Sequence, residues 1–312
     1  MWKRAMMVLF IFRSIFMKRD KNISWHDSGN VNQKIKGLQI AIIGGTGGIG
    51  RALSQQLAAH GADVLVVGQT FRDAGKSGIS FLQADLSLMS EAQRVATALP
   101  AETLDMLIFT TGIFAAPQRQ ETAEGIERDL AVSFLNRKVI FDATAPRLGR
   151  LRPGDRIKPR VFIMGYPGSG QIGKANDLNA ERSYKALPVH MNTVAGNEML
   201  VLQAANHYPH ISVFGLNPGL IKTNIRDNWL GKDSFKARVL ETLIGWFAPT
   251  ADSYARSITP LLVSDDLGGY SGVLFNRKGQ AILSSEGLSE THIRTFMSAA
   301  SALIARTGIS EK

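Results

Sequence analysis

The chain has 312 residues, 45% of them hydrophobic, enough for one large α/β domain or two small ones with a sizeable core. It has no cysteine, which excludes disulfides, thiolate metal sites and a cysteine nucleophile, and its six histidines fall in no metal-binding spacing. The formal charge of +10 is unevenly held: residues 1–36 carry eight basic and two acidic groups, the remainder 28 and 24, and no basic block interleaved with aromatics points to nucleic acid.

The first 36 residues read as a basic, partly apolar tail. The apolar stretch Ala5 to Met17 is too short to span a bilayer, Arg13 interrupts it, and no small-residue cleavage site follows. Three readings stand open: an interfacial anchor with peripheral membrane contact, a weak secretion signal, or upstream sequence ahead of a start at Met17. The last is favoured, with a cytoplasmic location. From Leu38 the pattern changes to short β-branched runs alternating with helical spacing. Strands are expected in LQIAIIGG, ADVLVVG, ISFLQADLS, LDMLIFTTG, KPRVFIMG, HISVFGLNPG and YSGVLFNRKG. Helices are expected in GRALSQQLAAHG, around 90–99, as one long helix from 124 to 148, from Pro188 to Tyr208, and after a cap at Ser289. Repeated strand and helix at this pitch predicts a Rossmann-like, doubly wound α/β fold: a parallel sheet with helices on both faces, in one domain over 37–300, followed by a tail at 301–312.

The first strand runs into GGTGGIG, with Gly44, Gly48 and Gly50 spaced GxxxGxG. The first glycine permits a tight turn, the second leaves no side chain between backbone and a pyrophosphate, and the third lets helix and strand pack closely. The unpaired N–H groups of the following helix start then face the phosphates, and Thr46 offers a hydroxyl. A merely structural turn is the plainer alternative. No GKS or GKT follows, which disfavours a P-loop. Strand two ends VVGQTFRD without an acid at Gly68, Gln69 or Thr70, and Arg72 stands near enough to pair with a 2′-phosphate; Asp73 counts against this. NADP is therefore favoured, with NAD left open.

These features, taken with three further segments, resemble the short-chain dehydrogenase/reductase family over about residues 38–285. GGTGGIG, including Ile49, looks like the family's glycine-rich motif. ADLS, with Asp85 and Leu86, resembles the segment whose acid contacts adenine. FTTG, with Thr111 and Gly112, stands where the family has Asn-Asn-Ala-Gly, and NPGLIKT resembles the stretch that closes over the nicotinamide, matching Pro218, Gly219, Ile221 and Thr223. The resemblance implies an oxidoreductase moving a hydride between a nicotinamide cofactor and a carbonyl or alcohol.

The catalytic positions depart from the family pattern. The usual Asn falls on Ser133, and the usual Ser on Tyr166, with Ser169 close behind. The candidate tyrosine, Tyr184, has Pro188 four residues on, where a lysine is usual; counting back from Pro218 puts that lysine near Met191 or Asn192. A tyrosine with its ordinary pKa near 10 needs a nearby cation to exchange its proton at neutral pH. His190, in the right pKa range, could relay or donate a proton, Asn192 could hold a ribose hydroxyl or a water, and Tyr166 could donate to a substrate oxygen. Each also has a plain reading as a packing or surface residue. An apolar, aromatic stretch at about 224–250 is expected to form a helical lid over a mostly apolar substrate. The altered residues leave a second reading open, a dinucleotide-binding regulator or scaffold without catalysis, and homo-oligomer formation is open as well.

Overall fold

The computed structural model describes residues 17–153, 157–221 and 249–309. Its centre is an eight-stranded sheet in the order β3-β2-β1-β4-β5-β6-β7-β8. The strands are β1 (Gln39–Ile43), β2 (Asp63–Gly68), β3 (Ile79–Gln83), β4 (Met106–Phe109), β5 (Arg160–Met164), β6 (Ser212–Leu216), β7 (Val273–Phe275) and β8 (Ala281–Ile282). Neighbours through β7 run parallel, and β8 returns antiparallel. The central strands are apolar on both faces because both are covered. Ile40 and Ile42 with Phe162 and Met164 enter one core; Ala41 and Ile43 with Val161 and Ile163 enter the other. The side-chain period of two thus sorts each strand between two cores.

One core is closed by α1 (Val31–Ile35), α2 (Gly48–Ala59) and α7 (Ala251–Leu262). The other is closed by α3 (Met89–Ala98), α4 (Arg128–Leu130), α5 (Asn136–Thr144), α6 (Ala186–His207) and α8 (Glu290–Arg306). Residue chemistry sets the ends of these helices. Gly61, at φ +88°, stops α2 as its spacing predicts. Ser289 caps α8 by accepting from the His292 N–H at 3.2 Å, and Thr250 caps α7 from the Ser253 N–H at 3.1 Å. Phe296 of α8 is fully buried against Phe134, ring centroids 5.9 Å apart. Truncating such a ring to alanine costs about 3–5 kcal/mol, so the last helix is part of the core.

Three expectations need correction, and three elements went unexpected. The long helix expected over 124–148 starts at Arg128 and is interrupted by a π-helical turn at Ala131–Leu135 before α5 begins. The Asn136 amide donates to the Ala131 and Val132 carbonyls at 2.8 and 2.6 Å, satisfying the backbone groups that the wider turn frees. The final helix passes residue 300 and ends at Arg306, because Leu303 and Ile304 are buried. The segment read as a tail over 1–36 joins the sheet from Lys18 on: Arg19 bridges Ile282, the Leu283 N–H donates to the Lys18 carbonyl at 2.9 Å, and the Trp25 indole donates to the Gly279 carbonyl at 2.6 Å. The short elements α1 and β8, and α7, went unexpected. Among the described residues no helix is long and apolar enough to cross a membrane.

Candidate functional site

The glycine-rich turn lies at the carboxyl end of β1, in the central crevice of the sheet where β1 lies between β2 and β4. Gly44 has φ +90°, and a Cβ there would stand 2.6 Å from the Thr111 nitrogen. A Cβ on Gly50 would meet the Gly44 carbonyl oxygen at 2.5 Å, so this glycine lets α2 press onto the turn. Gly48 has φ +50° and opens α2. The N-cap of α2 is Gly47, which offers no side-chain cap, and among the described residues a Cβ there would find Arg72 Nη1, at 3.5 Å. A cradle of backbone with an uncapped helix start fits the pyrophosphate of a dinucleotide.

The residues after β2 and β3 shape the adjoining end. Arg72 donates to the Thr46 carbonyl at 3.3 Å, which lays its exposed guanidinium over the turn. Asp73 is 3% exposed and bound elsewhere: Arg51 holds both its oxygens at 2.8 Å, and Gln55 and Lys76 add further contacts. The Arg51 hydrogen bonds hold the Asp73 carboxyl down at about 2, against its burial. Asp85 accepts from Gln69 Nε2 at 2.9 Å and from the Ser87 N–H and hydroxyl. Burial opposes ionisation of Asp85, but these bonds win and keep it below the usual carboxylate range. Leu86 is buried beside it.

Next to the turn is a cleft of about 160 Å³ whose lining includes Ile49, Thr111, Gly112, Ser133, Tyr166, His190, Asn197, Pro218, Gly219 and Ile221. Two of its lining residues, Ser133 and His190, are held by a buried carboxylate. Asp129, at 0% exposure, uses Oδ2 on His190 Nδ1 at 2.8 Å and Oδ1 on the Ser133 hydroxyl at 2.5 Å. Ser133 Oγ also accepts from the Ile113 N–H at 3.0 Å. The His190 ring stacks on Phe114 with centroids 4.3 Å apart. With Nδ1 held by a carboxylate, Nε2 is the nitrogen left to act in the cleft. Glu127 lies one helical turn upstream of Leu130 and accepts its N–H at 2.7 Å; burial pushes Glu127 up to about 7, and the Asp129 charge adds to the effect.

The geometry gathers Ser133, Tyr166 and His190 at the cleft and leaves two other candidates outside its lining. Tyr184 donates its hydroxyl to the Ala116 carbonyl at 2.5 Å, and burial, with Glu127 and Asp129, pushes it up to about 12. Asn192 lies in a separate groove, its Oδ1 accepting from the Lys174 N–H at 3.0 Å. Thr223 and residues 224–248 of the expected lid lie outside the described residues. Reading the sequence missed Asp129, Arg137 and Asn197. For Asp129 a signal was present: an acid four residues before Ser133, which puts the two side chains on one face if the segment is helical.

The short chain dehydrogenase family model matches residues 39–148. A Saccharomyces cerevisiae protein described as an uncharacterized oxidoreductase is 50% identical over 288 residues, covering 91% of this chain and 93% of its own. The polyprenol dehydrogenase of Mus musculus is 24% identical, covering 78% and 77%. Among solved structures, a putative short chain dehydrogenase from Pseudomonas syringae matches with a TM-score of 0.58 at 17% identity, covering 82% of this chain and 99% of its own. One from Shigella flexneri, solved with NADP, matches with a TM-score of 0.56 at 15% identity, covering 79% and 99%. The chain belongs to the short-chain dehydrogenase/reductase family. It is an oxidoreductase with the NAD(P)-binding Rossmann-type fold of that family, whose members act on small-molecule substrates.

Proposed function

We propose that the protein catalyses NADP(H)-linked interconversion of a mostly apolar carbonyl compound and its alcohol, with His190, oriented by Asp129, handling the proton. The observation that carries this reading is the 2.8 Å contact between His190 Nδ1 and Asp129 Oδ2 at the wall of the cleft. A bound nicotinamide dinucleotide supplies or accepts the hydride. The glycine-rich turn binds its pyrophosphate through backbone N–H groups, and Arg72 pairs with the 2′-phosphate. Asp73, which would repel that phosphate, is neutralised by Arg51. The Asp129 carboxylate holds His190 Nδ1 and orients the ring, which leaves Nε2 to give a proton to a carbonyl oxygen or take one from an alcohol. Tyr166 lies in the same lining and orients the substrate oxygen. The apolar cleft wall, with Ile49, Ile113, Phe114, Met164 and Val194, excludes water and favours an apolar substrate.

The test is a panel of aldehydes and ketones offered to the purified protein with NADPH and with NADH, read as loss of absorbance at 340 nm. NADPH-driven reduction that His190→Gln suppresses supports the reading. Full activity in His190→Gln rejects the assignment of the proton, and a protein that binds neither dinucleotide rejects the whole reading.

A further inference from the structure

We propose that Arg137 is a positioning residue of this cleft: its buried guanidinium fixes the ends of β4 and β5 to α6 and supplies the standing positive charge beside the Asp129–His190 pair. The inference rests on the reading of His190 given above. Arg137 is 3% exposed on the first turn of α5. Its nitrogens donate to the Thr111 carbonyl beyond β4, to the Met164 carbonyl ending β5, to Asn197 Oδ1 on α6 at 2.8 Å and to the Thr111 hydroxyl at 3.3 Å. Thr111, Met164 and Asn197 all line the cleft.

A buried cation whose hydrogen bonds all go to neutral oxygens is an unusual expense for a fold, since a shaped apolar side chain fills such space without the desolvation penalty. The carboxylate whose charge reaches it is Asp129; burial pulls Arg137 down to about 9, and Asp129 works against that fall. The connection is also bonded. Asn197 receives from Arg137 and donates to the Ser133 carbonyl at 2.8 Å, Ser133 donates to Asp129, and Asp129 holds His190. Met191 and Asn192, near which the family resemblance would place a lysine on the helix of His190, are neutral. Arg137 brings the charge from another helix instead. The other groups around the pair are Ser133 and Phe114 in contact, Glu127 and Tyr184 on the outer side with Arg119 beyond them, and Tyr166 in the same cleft lining.

The experiment compares Arg137→Met, which removes the charge, and Arg137→Lys, which keeps the charge but loses the fork. The full chain is used, with the His190 imidazole nitrogens followed by NMR against pH and kcat, KM and melting temperature measured alongside. Removing a like charge favours the imidazolium, so Arg137→Met is expected to raise the His190 midpoint by about half to one pH unit, with Arg137→Lys close to the parent. kcat is expected to fall about 30-fold in Arg137→Met and about tenfold in Arg137→Lys, while KM for the carbonyl changes less than about threefold. An unmoved midpoint in folded Arg137→Met, or a kcat loss that only tracks the folded fraction, overturns the proposal. If Arg137→Met does not fold, Arg137→Lys decides: reduced kcat at an unchanged melting temperature supports the proposal, and unchanged kcat overturns it. The titration needs no turnover, so a protein that reduces no carbonyl would fail the functional reading while the charge relationship is still tested.

Discussion

The Arg51 guanidinium grips both oxygens of Asp73 at 2.8 Å, and this ion pair decides what the end of β2 presents to a nucleotide. The acid is committed to α2, and Arg72, its neighbour in sequence, lies over the glycine-rich turn instead. Arg72→Ala is therefore expected to weaken NADPH binding about tenfold and to leave NADH binding within about twofold, as loss of one charge-assisted phosphate contact implies. Titration of tryptophan fluorescence with each dinucleotide checks this. An equal loss for both would remove Arg72 from cofactor selection.

The same ion pair makes stability depend on pH. Asp73 has its folded pKa lowered to about 2 from 3.8, so its stabilisation is present above pH 3.8 and is lost as pH falls through about 2. Asp73→Asn should cost about 1–2 kcal/mol at neutral pH, allowing for the half-exposed Arg51 side of the pair. The gap between variant and parent should close over that acid window, as measured by urea unfolding at a series of pH values. A gap independent of pH down to 2 contradicts the ion-pair origin.

Two glycines of the turn should respond in opposite ways. A methyl group on Gly50 would meet Thr110 Oγ1 at 2.3 Å and the Gly44 carbonyl at 2.5 Å, so Gly50→Ala should destabilise the fold by about 1–3 kcal/mol. Gly47 has an extended φ of −155°, and among the described residues only the tip of Arg72 lies near a Cβ there. Gly47→Ala should fold with a melting temperature within about 2 °C of the parent, yet bind either dinucleotide more weakly because the methyl group enters the phosphate cradle. Thermal melts with and without NADPH separate the two effects.

Legibility in the sequence followed the range of the interaction. The glycine-rich turn and β1 to β7 were readable because a period of two, a run of β-branched residues and glycine spacing are local. The two-residue β8 was too short to show a period, and its pairing with Arg19 joins chain segments more than 260 residues apart. The helix over 124–148 looked continuous because no glycine or proline falls between 126 and 145; its π turn is set by the Asn136 side chain bonding back to Ala131 and Val132. His190 was legible as a titratable residue on α6. Its partner was not, because Asp129 lies 61 residues earlier and only the packing of α6 against the α4 segment joins them. Tyr184 drew notice for its residue type, whereas its hydroxyl is spent on a backbone carbonyl outside the cleft lining.

That pairing carries the sharpest expectation for activity. If Nε2 of His190 handles the proton, His190→Gln should lower kcat about 10²–10⁴-fold while the dinucleotide still binds, because a glutamine can fill part of the space but cannot exchange a proton near neutral pH. Asp129→Asn should lower kcat by a smaller factor, since the imidazole remains but is no longer held by a carboxylate. The asparagine keeps a hydrogen bond to Ser133 within reach, which limits the structural damage. Tyr184→Phe should leave kcat within about threefold and lose about 1 kcal/mol of stability, the worth of its bond to Ala116. Steady-state kinetics on the best carbonyl substrate, with circular dichroism on each variant, orders the three. A Tyr184→Phe enzyme as impaired as His190→Gln would mean that binding of cofactor or substrate brings the tyrosine into the cleft and that the histidine serves packing alone.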